Sequence, residues 1–86
     1  MTRTIDAPPA GLYRHYKGNL YEVFEVARHS ETGEELVVYR ALYGEFGLWV
    51  RPLTMFVETV EHGGETVRRF AYLRAATDAD RLRPPN

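Results

Sequence analysis

Eighty-six residues, 44% of them hydrophobic, make one small domain, and 11 Lys plus Arg against 12 Asp plus Glu leave a formal net charge of −1. That balance argues against a protein built to neutralise the phosphates of long nucleic acid, which needs a basic excess or stripe. With no cysteine, neither a disulfide nor a thiolate metal site can supplement a small core, so stability must come from aromatic and β-branched packing or from a face buried against a second copy.

Residues 1–10 carry Pro8-Pro9 and little periodicity and are read as a disordered lead. They lack the apolar run of a signal peptide, and no segment approaches the roughly 20 apolar residues of a spanning helix, so a cytoplasmic protein is expected. The folded unit runs from residue 11 to residue 73. Leu12 to Tyr16 is a short strand closed by the turn pair Gly18-Asn19. Leu20 to His29 is a longer strand in which Tyr21 and Val23 are apolar in one register and Phe24 and Val26 in the other. A strict period of two cannot produce that shift, so a bulge or sharp bend is placed near Val23.

Ser30-Glu31-Thr32-Gly33-Glu34 forms a hairpin loop with Gly33 suited to positive φ. The returning strand, Glu35 to Tyr43, is apolar on both faces except at Arg40. That pattern marks a central strand, or one whose outer face is covered by a partner. After the turn Gly44-Glu45-Phe46-Gly47, Leu48 to Arg51 alternates aliphatic residues with Trp49 and Arg51, and Pro52 ends the strand. With Leu48 and Val50 facing the core, Trp49 and Arg51 face outward. A 3₁₀-like turn after Pro52 carries Met55 and Phe56 back onto the core. A last hairpin, Val57 to Glu61 and Thr66 to Tyr72, closes around Gly63-Gly64, which suits a primed turn. Residues 74–86 end in Pro84-Pro85 and read as a disordered tail, with a nascent helical turn from Asp78. The fold class is all-β: a small SH3-like barrel, or a strongly bent antiparallel sheet, of five to six short strands.

Several segments resemble the bacterial family known as domain of unknown function 1653. They are Tyr13-Arg14-His15-Tyr16-Lys17-Gly18, Leu20-Tyr21-Glu22-Val23, Ala27 to Thr32, Val38 to Tyr43, and Leu48-Trp49-Val50-Arg51-Pro52 through Met55-Phe56. The resemblance spans roughly Gly11 to Phe70 in the family's order. It implies a small, mostly β, single-domain protein and brings no activity, cofactor or catalytic residue with it.

The densest polar and aromatic cluster is Tyr13-Arg14-His15-Tyr16-Lys17. Read as a binding rim, it offers tyrosines for stacking, worth roughly 1–3 kcal/mol per planar base, with Arg14 adding charge. In the competing reading one tyrosine fills the core, and Arg14 and Lys17 are solvated charges that protect an edge. Trp49 and Arg51 are read as an anchor and a bidentate donor to a carboxylate or phosphate. The competing reading has Trp49 covering a barrel mouth and Arg51 paired with a glutamate. Arg40 either joins that site or sends its head to water along a buried stem. The candidate ligand-binding residues are thus Trp49, Arg51, Arg40, Tyr16, Tyr13, Arg14 and His15.

His15, His29 and His62 have no metal-ligand spacing, and neither a metal nor a cofactor is expected. Ser30, the one serine, lies in a hairpin loop outside any nucleophile motif, and Gly63-Gly64 is a turn rather than a phosphate loop. The leading expectation is a non-enzymatic module that recognises a peptide, a nucleotide or another anionic ligand, in preference to long nucleic acid. The alternatives are a homodimeric structural protein paired through the apolar face of Glu35 to Tyr43, and an enzyme using His15 with a carboxylate such as Glu22.

Overall fold

The computed structural model describes residues 7–82; the disorder expected at residues 1–6 and 83–86 lies outside the described residues. In chain order the elements are β1 (Gly11–His15), β2 (Leu20–Arg28), β3 (Glu35–Ala41), β4 (Leu48–Pro52), α1 (Leu53–Phe56), β5 (Thr59–His62), β6 (Glu65–Arg68), β7 (Phe70–Arg74) and a 3₁₀ turn (Asp78–Arg81). β1 to β4 and β7 form one antiparallel sheet in the order β4-β3-β2-β1-β7, and β5 and β6 form a separate hairpin. β4 and β7 do not pair, so the sheet stays open. Of the two expected architectures, the strongly bent sheet is the one observed.

Two irregularities bend it. The β2–β3 register shifts between Val23 and Glu25, leaving Phe24 as the extra residue where the broken alternation places it. The second lies between Leu12 and Tyr13 in the β1–β7 pairing. Beside it, Gly11 has φ +147°, and a Cβ there would sit 2.7 Å from the Arg74 carbonyl oxygen and 2.8 Å from Tyr72 Cε1. Glycine is what lets the two backbones approach. Gly63 and Gly64 both take positive φ, +61° and +81°, as a two-residue primed hairpin turn between β5 and β6 requires.

The expected last strand, Thr66 to Tyr72, is two strands. Arg69 bends the chain so that β6 pairs with β5 while β7 joins the main sheet beside β1. The sequence carries a trace of this break: Val67 and Phe70 are three residues apart, which a single strand cannot place on one face. The helical turn expected after Pro52 is one α turn, closed by Val57 N–H donating to Leu53 C=O at 3.1 Å. It buries Leu53 and Phe56 and leaves Met55 exposed.

The core lies on the concave face, where Tyr13, Val23, Val37, Tyr39, Leu53, Phe56 and Phe70 pack together. Phe56 stacks on Phe70 with centroids 4.3 Å apart and planes 4° from parallel. That pair brings the helical turn, which has no side-chain cap, onto the sheet. On the opposite, outer face Leu12 and Glu22 are cross-strand partners, and both are buried. Arg81 reaches back from the 3₁₀ turn and donates through Nε and Nη2 to the Glu22 carboxylate at 2.9–3.1 Å. The turn is itself braced by a Thr77–Asp80 capping box and by Arg74, which donates to both Asp80 oxygens at 2.7 and 2.9 Å.

Candidate functional site

The antiparallel register places each candidate residue. Trp49 lies opposite Tyr39 and Arg51 opposite Val37. Tyr39 and Val37 are core residues, so Trp49 and Arg51 belong to the concave face and Leu48 and Val50 to the outer one. This reverses the strand phase expected from the apolar alternation. The six-residue connection from Leu42 to Gly47 sets the register, and a slip of one residue would exchange the faces. Within it Phe46 takes φ +56°, and its carbonyl accepts a 2.6 Å hydrogen bond from Arg40 Nη1.

Trp49 nevertheless stays 58% exposed, because it lies at the sheet edge beyond the aromatic core. Its indole folds back over Gly47, where a Cβ would come within 3.0 Å of Nε1. With Ala41, Tyr43 and Gly44 it lines a shallow cleft of about 260 Å³. Arg51 packs its guanidinium over Phe70, 5.6 Å from the ring centroid, and points Nε at Tyr39 Oη from 3.5 Å. Among the described residues no carboxylate pairs with Arg51. Arg40 lies on the outer face over Phe24, away from Trp49 and Arg51, so these three do not converge. Tyr13 is a core residue, 3% exposed, donating its hydroxyl to the Pro9 carbonyl at 2.6 Å. Burial, then the neighbouring Tyr72, pushes the Tyr13 hydroxyl up to about 12.

Arg14, His15 and Tyr16 do meet. They line a cleft of about 300 Å³ between the β1–β7 seam and the β5–β6 hairpin, and His62 and Arg68 join them from the hairpin. The pairing of Arg14 with Ala71 and of His15 with Phe70 fixes the first wall. Tyr16 N–H donates to the Arg69 carbonyl at 2.9 Å, which ties the end of β1 to the chain between β6 and β7. The Tyr16 ring meets His62 edge-on at 5.3 Å. Val67, Ala71 and Leu73 supply the apolar part of the lining, and no carboxylate lines the cleft among the described residues. Neither Arg14 nor Arg68 forms an ion pair among the described residues.

His15 sits against Phe70 and Tyr16, with ring centroids 5.0 and 4.6 Å away. Its Nδ1 accepts from Lys17 N–H at 3.1 Å, which leaves the proton of the neutral ring on Nε2. Burial first, then the charges of Arg69, Arg51 and Lys17, hold its pKa below the ordinary 6.5. The cleft is therefore cationic through its arginines while this imidazole is neutral near pH 7.

The signal for His62 and Arg68 was weak in the sequence. His62 reads as a surface turn residue, and Arg68 comes to the cleft only because the chain breaks at Arg69. Glu22 reads as a strand carboxylate available to His15, yet it lies on the opposite face and is held by Arg81. Among the described residues no helix is long and apolar enough to cross a membrane.

A family model described as a protein of unknown function (DUF1653) matches residues 11–72, which run from the first residue of β1 into β7. The chain is also similar to the crystal structure of a DUF1653 protein from Bordetella bronchiseptica. The two are 42% identical over 81% of this chain and 92% of that one, with a TM-score of 0.74. No curated protein matches the chain. A family match over most of the domain, and a solved relative with the same fold at that identity, lead to one conclusion: the chain belongs to the DUF1653 family, whose function is unknown.

Proposed function

We propose that the protein is a non-enzymatic, cytoplasmic binding module that takes a small anionic ligand, such as a peptide carboxylate or a nucleotide phosphate, into the cleft lined by Arg14, His15, Tyr16, His62 and Arg68. The observation that carries this reading is that two arginines, Arg14 and Arg68, line one cleft in which no carboxylate and no ion-pair partner for either lies among the described residues. Like charges that line one cleft repel each other unless an anion lies between them. Tyr16 and the two imidazoles add planar surfaces and hydrogen-bonding groups, the mixture by which small sites fix a ligand's orientation. The near-zero net charge favours a compact ligand over long nucleic acid.

Isothermal titration of the full chain with inorganic pyrophosphate and with adenosine monophosphate tests the reading. Binding is expected to weaken about tenfold in Arg14→Ala and in Arg68→Ala, in line with the loss of one charge-assisted hydrogen bond. Trp49→Ala, outside the cleft, should bind as wild type does. Affinities unchanged in both arginine variants would remove the cleft as the site.

A further inference from the structure

We infer that the free edge of β4 is the interface of a two-fold homodimer, in which Val50 of each copy pairs with Val50 of the other and each Trp49 lies opposite Arg51 of the second copy. The inference is independent of the anion cleft, which lies at the other side of the sheet.

β4 is an edge strand with no bulge, no lysine and no covering element on its open side among the described residues. Of the other devices that protect such edges, β4 has its short length, the terminal Pro52 and the core-side charge of Arg51, which leave the backbone groups of Leu48 and Val50 unblocked. The backbone groups on that side follow from the β3–β4 ladder. Ala41 N–H donates to Gly47 C=O at 3.0 Å, so the alternation of antiparallel bonding turns Gly47, Trp49 and Arg51 toward β3. Leu48 and Val50 therefore present N–H and C=O to the open side, and Pro52 presents C=O alone.

A second copy of the segment Leu48-Trp49-Val50-Arg51-Pro52 complements this pattern when the two-fold axis passes at Val50. The Val50 pair exchanges two backbone hydrogen bonds. Leu48 N–H of each copy donates to Pro52 C=O of the other, and because proline has no N–H to return, each Leu48–Pro52 pair makes one backbone bond instead of two. Trp49 and Arg51 of the second copy then form a pair without backbone bonds, the kind in which side chains lie closest, on one shared face. An exposed indole then neighbours the guanidinium that packs over Phe70 and has no carboxylate partner among the described residues, so a further cation–π contact, made twice by symmetry, is open to it. The outer face gains a matching run of Leu48, Val50 and Pro52, of which Leu48 and Val50 are 55% and 57% exposed in the monomer. Shifting the axis by one residue toward Arg51 would set guanidinium against guanidinium. Shifting it toward Trp49 would leave Arg51 opposite Gly47.

The chain has no cysteine, so a single introduced thiol reports the register. Hydrogen-bonded antiparallel partners have Cα atoms about 5.5 Å apart, within disulfide range. Under mild oxidation of the full chain, Val50→Cys should give a covalent dimer, whereas Leu48→Cys and Trp49→Cys should not. Analytical ultracentrifugation of wild type should show a dimer at low micromolar concentration. Val50→Glu should raise the dissociation constant by about tenfold or more, because two carboxylates then face each other across the axis. Its circular dichroism and melting temperature as a monomer report that the fold is intact, since residue 50 is exposed there. A wild type that sediments as a monomer at 50 μM or so, or disulfide formation that is no faster at position 50 than at 48 or 49, overturns the inference.

Discussion

Replacing Gly11 by alanine tests the close approach of β1 to β7. The residue holds φ +147°, in the region that favours glycine, so a side chain there costs roughly 1–3 kcal/mol in backbone strain alone. The added methyl would also lie 2.7 Å from the Arg74 carbonyl oxygen and 2.8 Å from Tyr72 Cε1. The tyrosine ring is half exposed and can swing away, but the carbonyl belongs to β7 and can move only if the β1–β7 seam opens. Such overpacking typically adds about 1–3 kcal/mol. Gly18 supplies the control: its φ is +110°, yet nothing lies within 4 Å of a Cβ there. Gly18→Ala should therefore cost about 1–2 kcal/mol and Gly11→Ala about 3–5 kcal/mol, against a total stability on the order of 5–10 kcal/mol for a domain of this size. Urea denaturation followed by far-ultraviolet circular dichroism measures both. If Gly11→Ala costs no more than Gly18→Ala, the close packing of β1 on β7 is not what demands the glycine.

The Glu22–Arg81 pair predicts an order rather than a single value. Arg81→Ala leaves a buried carboxylate without its principal partner and should lower the urea midpoint, whereas adding Glu22→Leu to that variant should recover part of the loss. A double variant that loses the sum of the two single losses would mean the pair does not couple. His15 predicts a pH dependence. Its folded pKa lies below 6.5, so the unfolded chain binds more protons as the pH falls past that value. The stability linked to this group is complete above about pH 6.5, declines through the window below it, and levels off once the folded state is protonated too. Wild type should accordingly lose more stability between pH 7.5 and 5 than His15→Gln, and equal losses would refute the assignment. An anion in the cleft favours the imidazolium, so pyrophosphate affinity should rise over the same window in wild type and stay flatter in His15→Gln, as calorimetry at each pH would show.

Much of the fold is legible in residue order because local chemistry decides it. The change of phase across Val23 and Phe24 marks the bulge, Gly63-Gly64 marks the primed turn, and Pro52 marks the end of β4. What sequence does not resolve is set by contacts between distant segments. The carboxylate of Glu22 is surrounded only because a turn 59 residues later docks over it. Tyr13 and Tyr16 look alike in one short cluster, yet alternation and the β7 partner send the first into the core and the second to the rim of the cleft. Arg14, His15 and Tyr16 were recognisable as a group, but His62 and Arg68 complete the cleft only through the break at Arg69.

The strand phase of β4 shows why an apolar alternation can mislead. The inference from Leu48 and Val50 to a buried face holds only where something covers that face. On the outer side of this sheet the carboxy-terminal turn, through Arg81, reaches Glu22 on β2, two strands away from β4. The concave side is covered by α1, whose Phe56 lies against Tyr39, so β4 takes its phase from the tyrosine and valine of β3. Trp49 and Arg51 follow onto that side, at its open margin. Two aliphatic side chains are thus left in water on an edge strand, an arrangement that a monomer gains nothing from and that burial of about 25 cal/mol per Å² of apolar surface would reward in a dimer. The phase of β4 and its exposed aliphatic residues have the same origin: the strand follows β3 onto the side that α1 covers, and Leu48 and Val50 are left on the side where no element lies over them among the described residues.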